Sequence, residues 1–224
     1  MQNLSIQINV GSELYLKNPD SSELGQKIIS SSIFLIDELG FESFTFKKLS
    51  IKINSPESSI YRYFENKHTL LVYLTSWYWS WTEYKILLAT INVEMSTQKL
   101  EKAIHVLTKS VLVDQTISYI DEVVLNRIII AESAKAFHTK DVDEENKKGS
   151  FEAYKNMVNR VAAMVLEINQ QYKYPRMLVS TVVEGAHQQR YFSKHLPNLT
   201  DVKKGEDSIS KFYSQLVFNL IMQI

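Results

Sequence analysis

Residues 44–71 run FTFKKLSIKINSPESSIYRYFENKHTLL, and how this stretch folds decides the rest of the chain. Thr45 places a side-chain oxygen just ahead of an apolar-periodic run, where it can accept from the orphaned amides of a helix start. Phe46, Leu49 and Ile53 follow at helical spacing and give a short helix one apolar face. Asn54 comes next, one of the few non-glycine residues that tolerate a left-handed backbone, and so ends the helix. Ser55-Pro56-Glu57 then combines a cap, a first-turn proline and a first-turn acid, three independent signals for a new helix start. Asn66-Lys67 interrupts that helix before the apolar run from Leu70. Two short helices about a tight turn, the second carrying Ser58, Ser59, Tyr61, Arg62 and Tyr63, form a helix-turn-helix candidate.

In order and spacing these residues resemble the TetR family of bacterial transcriptional regulators. The matching positions are Thr45 opening the second helix, Leu49, the turn at Asn54, the run Ile60-Tyr61-Arg62-Tyr63-Phe64, then Asn66-Lys67 and Leu70-Leu71. The preceding segment, Ile28 to Gly40 with Phe41 and Phe44, is similar to the family's first helix and its glycine-aromatic corner. The likeness covers about a quarter of the chain. Ser50 stands where the family usually has alanine, Asn54 where it has the turn glycine, and Ser55-Pro56 where it has Val-Ser. Each is a physical substitute: a small residue, a left-handed-tolerant residue, and a cap moved one position earlier.

The resemblance implies an all-α fold of about nine helices: an N-terminal three-helix helix-turn-helix head and a C-terminal helical ligand-binding and dimerisation body. It implies a sequence-specific regulator, a homodimeric repressor released from its operator by a small-molecule effector of unknown identity. It also implies that the positions of Ser59, Tyr61, Tyr63 and Lys67 contact DNA. The chemistry of the side chains agrees. The planar fork of Arg62 suits guanine O6 and N7. Tyr61 and Tyr63 suit phosphate or sugar through their hydroxyls, and Thr45, Lys47, Lys48 and Lys67 suit the backbone. The candidate DNA-binding set is therefore Thr45, Lys47, Lys48, Ser58, Ser59, Tyr61, Arg62, Tyr63 and Lys67. One head covers too little DNA for tight specific binding. Two heads about 34–36 Å apart would read a palindromic double-stranded operator, which requires a dimer.

Charge permits this without demanding it. The chain has 25 basic and 25 acidic residues and a formal charge of zero. Between Phe44 and Lys67, five bases (Lys47, Lys48, Lys52, Arg62, Lys67) face two acids (Glu57, Glu65), leaving +3. Asp37, Glu38 and Glu42 of the preceding segment erase that excess.

With 224 residues, 45% of them hydrophobic, only six glycines and four prolines, the chain can bury a core and favours helices. It has no cysteine, which removes disulfides and thiolate chemistry. No basic-then-apolar leader opens the sequence and no apolar run approaches the ~20 residues that span a bilayer, so the expectation is a cytoplasmic protein with no membrane partner.

Three segments are expected: an arm over residues 1–19, the DNA-binding head over 20–68, and the effector and dimerisation body over 69–224. Leu4, Ile6, Ile8 and Val10 alternate as in a strand, and the arm is either extended or an ordered tail. Capping-box spacing at Asp20 to Glu23 opens a helix that Gly40 stops. A long helix follows from Thr69 to Ile91, then helices at about Gln98–Asp114 and Tyr119–His138, a charged loop at Thr139–Gly149, and a helix Phe151–Gln171 capped by Ser150. The last two helices, Arg176–His195 and Asp207–Ile224, are the family's dimerisation pair; Val179, Val182, Val183, Ala186, Phe212, Leu216, Val217 and Leu220 supply an apolar surface for a four-helix interface, or pack within the chain.

Trp77, Tyr78, Trp79, Trp81 and Tyr84 crowd eight positions of the long helix. Aromatics at helical spacing commonly form core; in an effector pocket, Trp77, Trp81 and Tyr84 would line a cavity for a flat or apolar ligand, with His105, Arg127, Glu184 and His187 orienting its polar end. His138, Asp141, Asp143 and Glu145 are metal-ligand types, but their spacing matches no known site, so neither metal nor cofactor is expected. No paired-carboxylate, Ser-His-Asp or glycine-rich phosphate signature is present, and the chain is expected not to be an enzyme. The competing expectation is a helical ligand- or partner-binding protein whose head no longer reads DNA.

Overall fold

In the computed structural model, which describes residues 8–112, 119–203 and 205–222, helix α1 (Glu23–Leu39) starts where Ser22 accepts from the Gly25 amide at 3.2 Å. It stops at Gly40, whose φ of 75° only glycine adopts freely. The start lies later than the sequence indicated. Asp20 sits in a 3₁₀ turn, Pro19–Ser21, and accepts instead from the Tyr119 hydroxyl.

Helix α2 (Phe46–Ile53) has the expected ends. Thr45 Oγ1 accepts from Lys48 N at 3.2 Å, and Asn54 closes the helix at φ 51°, ψ 52°. Ser55 N donates to Ser50 O (3.0 Å) and Asn54 N to Ile51 O (3.2 Å), the paired bonds of a Schellman closure. Helix α3 (Glu57–Ile60) is a single turn with Pro56, not Ser55, at its N-cap position and no side-chain cap bond, and continues as turn over 61–63. In α4 (Lys67–Thr90), Asn66 Oδ1 accepts from Thr69 N at 2.9 Å, so the residue that interrupts one helix opens the next.

Beyond the head come α5 (Ser96–Thr108), α6 (Glu122–Glu132), α7 (Ala134–Phe137), α8 (Val142–Lys147), α9 (Glu152–Ile168), α10 (Pro175–His195) and α11 (Ser208–Met222). Among the described residues these eleven helices occur with no strand, so the fold is all-α. The two helices beyond the expected nine are short. The helix expected over Tyr119–His138 opens at the Asp121 cap and breaks at Ser133 into α6 and α7. The expected loop at 139–149 contains α8, whose first-turn acids Asp143, Glu144 and Glu145 complement its N-terminal dipole. The helix expected to reach Asp114 ends at Thr108, where Lys109 turns extended (φ −74°, ψ 155°); Asp114 itself, and Leu4 and Ile6 of the alternating run, lie outside the described residues. Ile8 and Leu14 are buried, and Tyr15 meets Tyr73 edge-on at 6.3 Å, so this part of the arm is packed.

The chain forms two compact units, Met1–Ser80 with Val111–Ala153, and Trp81–Ser110 with Tyr154–Ile224. Helix α4 contributes Lys67–Ser80 to the first and Trp81–Thr90 to the second. In the first, α1 packs on α2 and α6, and α2 on α3, over a core including Ile28, Ile33, Ile36, Phe44, Leu49, Ile60 and Phe64. In the second, α5, α10 and α11 pack against one another. A Cβ at Gly185 would collide with the Tyr213 hydroxyl, so glycine there lets α11 come close to α10.

For part of the stripe on the last two helices, the packing is the within-chain alternative. Val179, Val182, Val183, Ala186 and Val217 are buried within the chain, because the stripe at their spacing faces α5 and the partner helix of the same unit. Phe212 and Leu220, 55% and 41% exposed, remain outward with Leu216 half-buried between them. No helix among the described residues is long and apolar enough to cross a membrane.

Candidate nucleic-acid interface

Helices α2 and α3 bury one row each and expose the other. Phe46, Leu49, Ile53, Ile60 and Phe64 point inward, while Thr45, Lys47, Lys48, Lys52, Ser58, Tyr61 and Arg62 are exposed and Ser59 is half-buried. The Phe46 ring meets the Tyr61 ring edge-on at 5.1 Å, which holds the start of α2 beside the end of α3. Seven of the nine candidate residues therefore lie on the two helices of the turn motif with access to solvent. The Tyr61 hydroxyl reaches Glu57 Oε1 only weakly, at 3.4 Å, and Lys48 Nζ donates to Ser43 O at 2.7 Å. A planar cation, a phenol, hydroxyls and lysines on one helix-turn-helix are the donor types that phosphates and base edges accept from.

The other two candidates are engaged inside the head. Tyr63 is 3% exposed and shares a 2.7 Å hydrogen bond with the Ser22 hydroxyl at the α1 cap. Its carbonyl accepts from Leu16 N at 2.8 Å, and Lys17 Nζ lies 5.1 Å from its ring centroid. Burial pushes the Tyr63 phenol up, but the Ser22 hydroxyl and the Lys17 cation outweigh it and leave the pKa below the ordinary tyrosine value. Lys67 Nζ donates to three backbone carbonyls, Phe41 O and Glu42 O at 3.0 Å each and Phe44 O at 3.3 Å. Both polar tips are thus engaged by groups of the chain itself.

Those carbonyls belong to the glycine-aromatic corner that the sequence pointed to after Gly40, but the side chains that hold it from α6 were not legible there. Glu132 of α6 accepts from Phe41 N at 3.1 Å and pairs with Lys135 at 2.8 Å, which also reaches Glu42 at 3.0 Å. Arg127 grips Asp37 of α1 with two bonds, 2.9 and 2.6 Å, and that carboxylate raises its pKa. Only an acid on one helix and an amide far away in sequence define such a site, so no local signal reports it.

The seven candidate pocket residues divide between the units. Trp77 is fully buried in the first, and Arg127 is committed to Asp37. In the second, Trp81 is buried and Tyr84 half-buried; His105 is exposed on α5, 3.1 Å from Ser210 Oγ, and Glu184 is exposed on α10, accepting from the Tyr154 hydroxyl at 2.7 Å. His187 is buried, and desolvation, then the Arg190 cation, lower its pKa to about 4. A cavity of about 10 Å³ inside the second unit, room for roughly one water, is lined by Leu100, Ile104, Val161, Val179, Val182, Val217 and neighbouring aliphatics and by none of the seven. Glu145, read as a metal-ligand type, instead meets His68 at 2.8 Å. Among the described residues no group of three or more His, Asp or Glu side chains is placed to hold a metal ion.

No protein-family model matches the chain, and no curated protein matches it in sequence. Solved structures do. The fatty acid degradation regulator FadR from Bacillus halodurans is 14% identical, with 96% of this chain and 98% of that one covered and a TM-score of 0.59. Superantigen PfiT is 10% identical over 91% and 97%, TM-score 0.58. AibR, solved with isovaleryl coenzyme A and operator DNA, is 14% identical over 88% and 98%, TM-score 0.57. The fold is that of the TetR-family regulators. PfiT is described as a superantigen, so function has to be argued from the head's own residues.

Proposed function

We propose that this protein is a sequence-specific DNA-binding transcriptional regulator, a cytoplasmic homodimeric repressor released from a palindromic operator by a small-molecule effector. The observation that carries the reading is the exposed face of α2 and α3. Thr45, Lys47, Lys48, Ser58, Ser59, Tyr61 and Arg62 stand on a helix-turn-helix whose first helix, α2, is fixed at its two ends by the Thr45 cap and the Asn54 closure. Arg62 reads a guanine edge, Tyr61 and the serines contact sugar and phosphate, and the lysines hold the backbone. FadR is named a regulator and AibR was solved on operator DNA with an acyl coenzyme A, which supports DNA and small-molecule partners for this fold.

In this proposal residues 20–68 bind DNA and residues 69–224 bind effector and partner subunit, with the described part of the arm, residues 8–19, packed by Ile8, Leu14 and Tyr15. Helix α4 belongs to both halves. The effector binds the DNA-incompetent spacing of the two heads more tightly than the competent one, and that difference alone releases the operator. Titrating an effector by calorimetry with and without operator should show reciprocal weakening, each ligand lowering the other's affinity by the same factor; independent binding would refute the coupling.

The decisive experiment is selection of bound fragments from a genomic library. One preferred site, lost steeply with salt, is expected, and Arg62→Ala should relax its sequence preference. The second reading, a helical binding protein whose head does not read DNA, draws on the near-neutral chain and on the inward Tyr63 and Lys67. It predicts that no fragment is enriched over bulk DNA.

A further inference from the structure

Lys67 lies at the start of α4, where the family resemblance implies a DNA contact, yet its ammonium is already engaged within the chain. It has three N–H donors, and three carbonyl oxygens, of Phe41, Glu42 and Phe44, lie 3.0, 3.0 and 3.3 Å from Nζ. The cation also stands 4.8 Å over the Phe41 ring centroid. These carbonyls belong to the corner between α1 and α2, and the amide of the same corner, Phe41 N, is held from another helix by Glu132 Oε1 at 3.1 Å. Lys135 braces Glu132 at 2.8 Å and Glu42 at 3.0 Å. Thr45, the cap that starts α2, follows the corner directly.

We propose that Lys67 and Glu132 are positioning residues for DNA recognition: α4 and α6 clamp the Phe41–Phe44 corner from which α2 departs, and Lys67 is not itself a phosphate ligand. Its cation satisfies carbonyls that would otherwise face a turn without donors, and Glu132 satisfies the corner's amide. The pair therefore sets where α2 and α3 stand, while Lys47, Lys48 and Arg62 supply the charge that DNA meets. The affinity part of this assignment rests on the DNA-binding reading above; the clamp itself does not.

The two roles differ in measurable sign. A lysine bound to phosphate lowers the slope of log affinity against log salt by about 1 when removed. A positioning lysine lowers affinity, here by about tenfold, and leaves the slope unchanged. Removing the Glu132 charge should tighten DNA binding if only long-range electrostatics matter; Glu132→Ala is expected to weaken it, and Glu132→Gln, which keeps an acceptor for Phe41 N, to restore it. The experiment measures fluorescence anisotropy of the full-length protein on its selected operator at several salt concentrations for wild type, Lys47→Gln, Lys67→Gln, Glu132→Ala and Glu132→Gln. Amide hydrogen exchange across residues 41–49 is followed in the same proteins.

The expected result is a slope lowered only by Lys47→Gln, affinity lowered by Lys67→Gln and Glu132→Ala, and faster exchange at the corner in those two. A slope lowered by Lys67→Gln, or tighter binding by Glu132→Ala, overturns the assignment. If wild type selects no site, the DNA-binding reading fails, and the exchange measurement still decides the clamp: unchanged protection of 41–49 in both variants overturns it. Should Lys67→Gln not fold, Glu132→Ala against Glu132→Gln decides the same question.

Discussion

His187 was read from sequence as a polar group for orienting a ligand, and it is buried in α10 with its pKa lowered to about 4, first by desolvation and then by the Arg190 cation. In the unfolded chain an imidazole titrates near 6.5. Between those values the unfolded state holds a proton that the folded state does not, so stability rises with pH and is lost as pH falls from about 6.5 towards 4. The full loss is roughly 3 kcal/mol, about 1.4 for each pH unit. Urea unfolding at pH 7, 6 and 5 should show this slope, and His187→Gln should flatten it; identical slopes in the two proteins would remove His187 from the account. Tyr63 and Lys67 teach a related lesson. Their residue types point outward to phosphate, but their partners are Ser22 and the carbonyls of Phe41, Glu42 and Phe44, remote in sequence. A side chain's chemistry is legible locally; whether the protein has already used it is not.

At the scale of elements, the ends of α2 were legible because each is decided by one residue's own geometry. Thr45 caps through its own hydroxyl, and Asn54 enters left-handed backbone at φ 51°. The start of α1 was displaced because several residues in a row could cap, and Ser22 took the place of Asp20; α3 begins one residue later than the Ser55 signal, with Pro56 at the N-cap position and no side-chain cap bond. Helix α8 was hidden because its charges read as solvated loop although they suit a helix dipole. The Asn54 closure gives the cleanest test. Asn54→Ala keeps the Cβ in the left-handed region but removes the short polar side chain that makes asparagine tolerant of it, and should destabilise the fold by about 1 kcal/mol. Asn54→Gly removes that strain and should be neutral or stabilising by a few tenths of a kcal/mol. Urea midpoints of the two variants should therefore fall on opposite sides of, or level with and below, wild type; equal losses would mean that the Schellman pair does not govern the turn.

At the scale of the whole molecule, all-α architecture followed from composition and periodicity, but periodicity says that a stripe is apolar and not which chain it faces. On α10 and α11 the stripe was divided. Val179, Val182, Val183, Ala186 and Val217 pack inside the unit, while Phe212 and Leu220 stay exposed with Leu216 between them at four-residue spacing on α11. Large apolar side chains in a row on a helix surface mark a contact surface, and the proposed dimer requires one. Because Phe212 is already exposed, Phe212→Glu should leave the unfolding midpoint of the subunit within about 0.5 kcal/mol of wild type. A glutamate facing its own symmetry mate across a two-fold interface would be repelled and desolvated, so sedimentation should show the chain mass in place of twice that mass. Operator affinity should fall with it, since one head on one half-site gives up the second head's phosphate contacts and the salt slope that accompanies them. Val217→Glu, by contrast, should unfold the subunit itself, because it buries an unpaired charge. A Phe212→Glu protein that still sediments as a dimer and holds operator would place the interface on another surface.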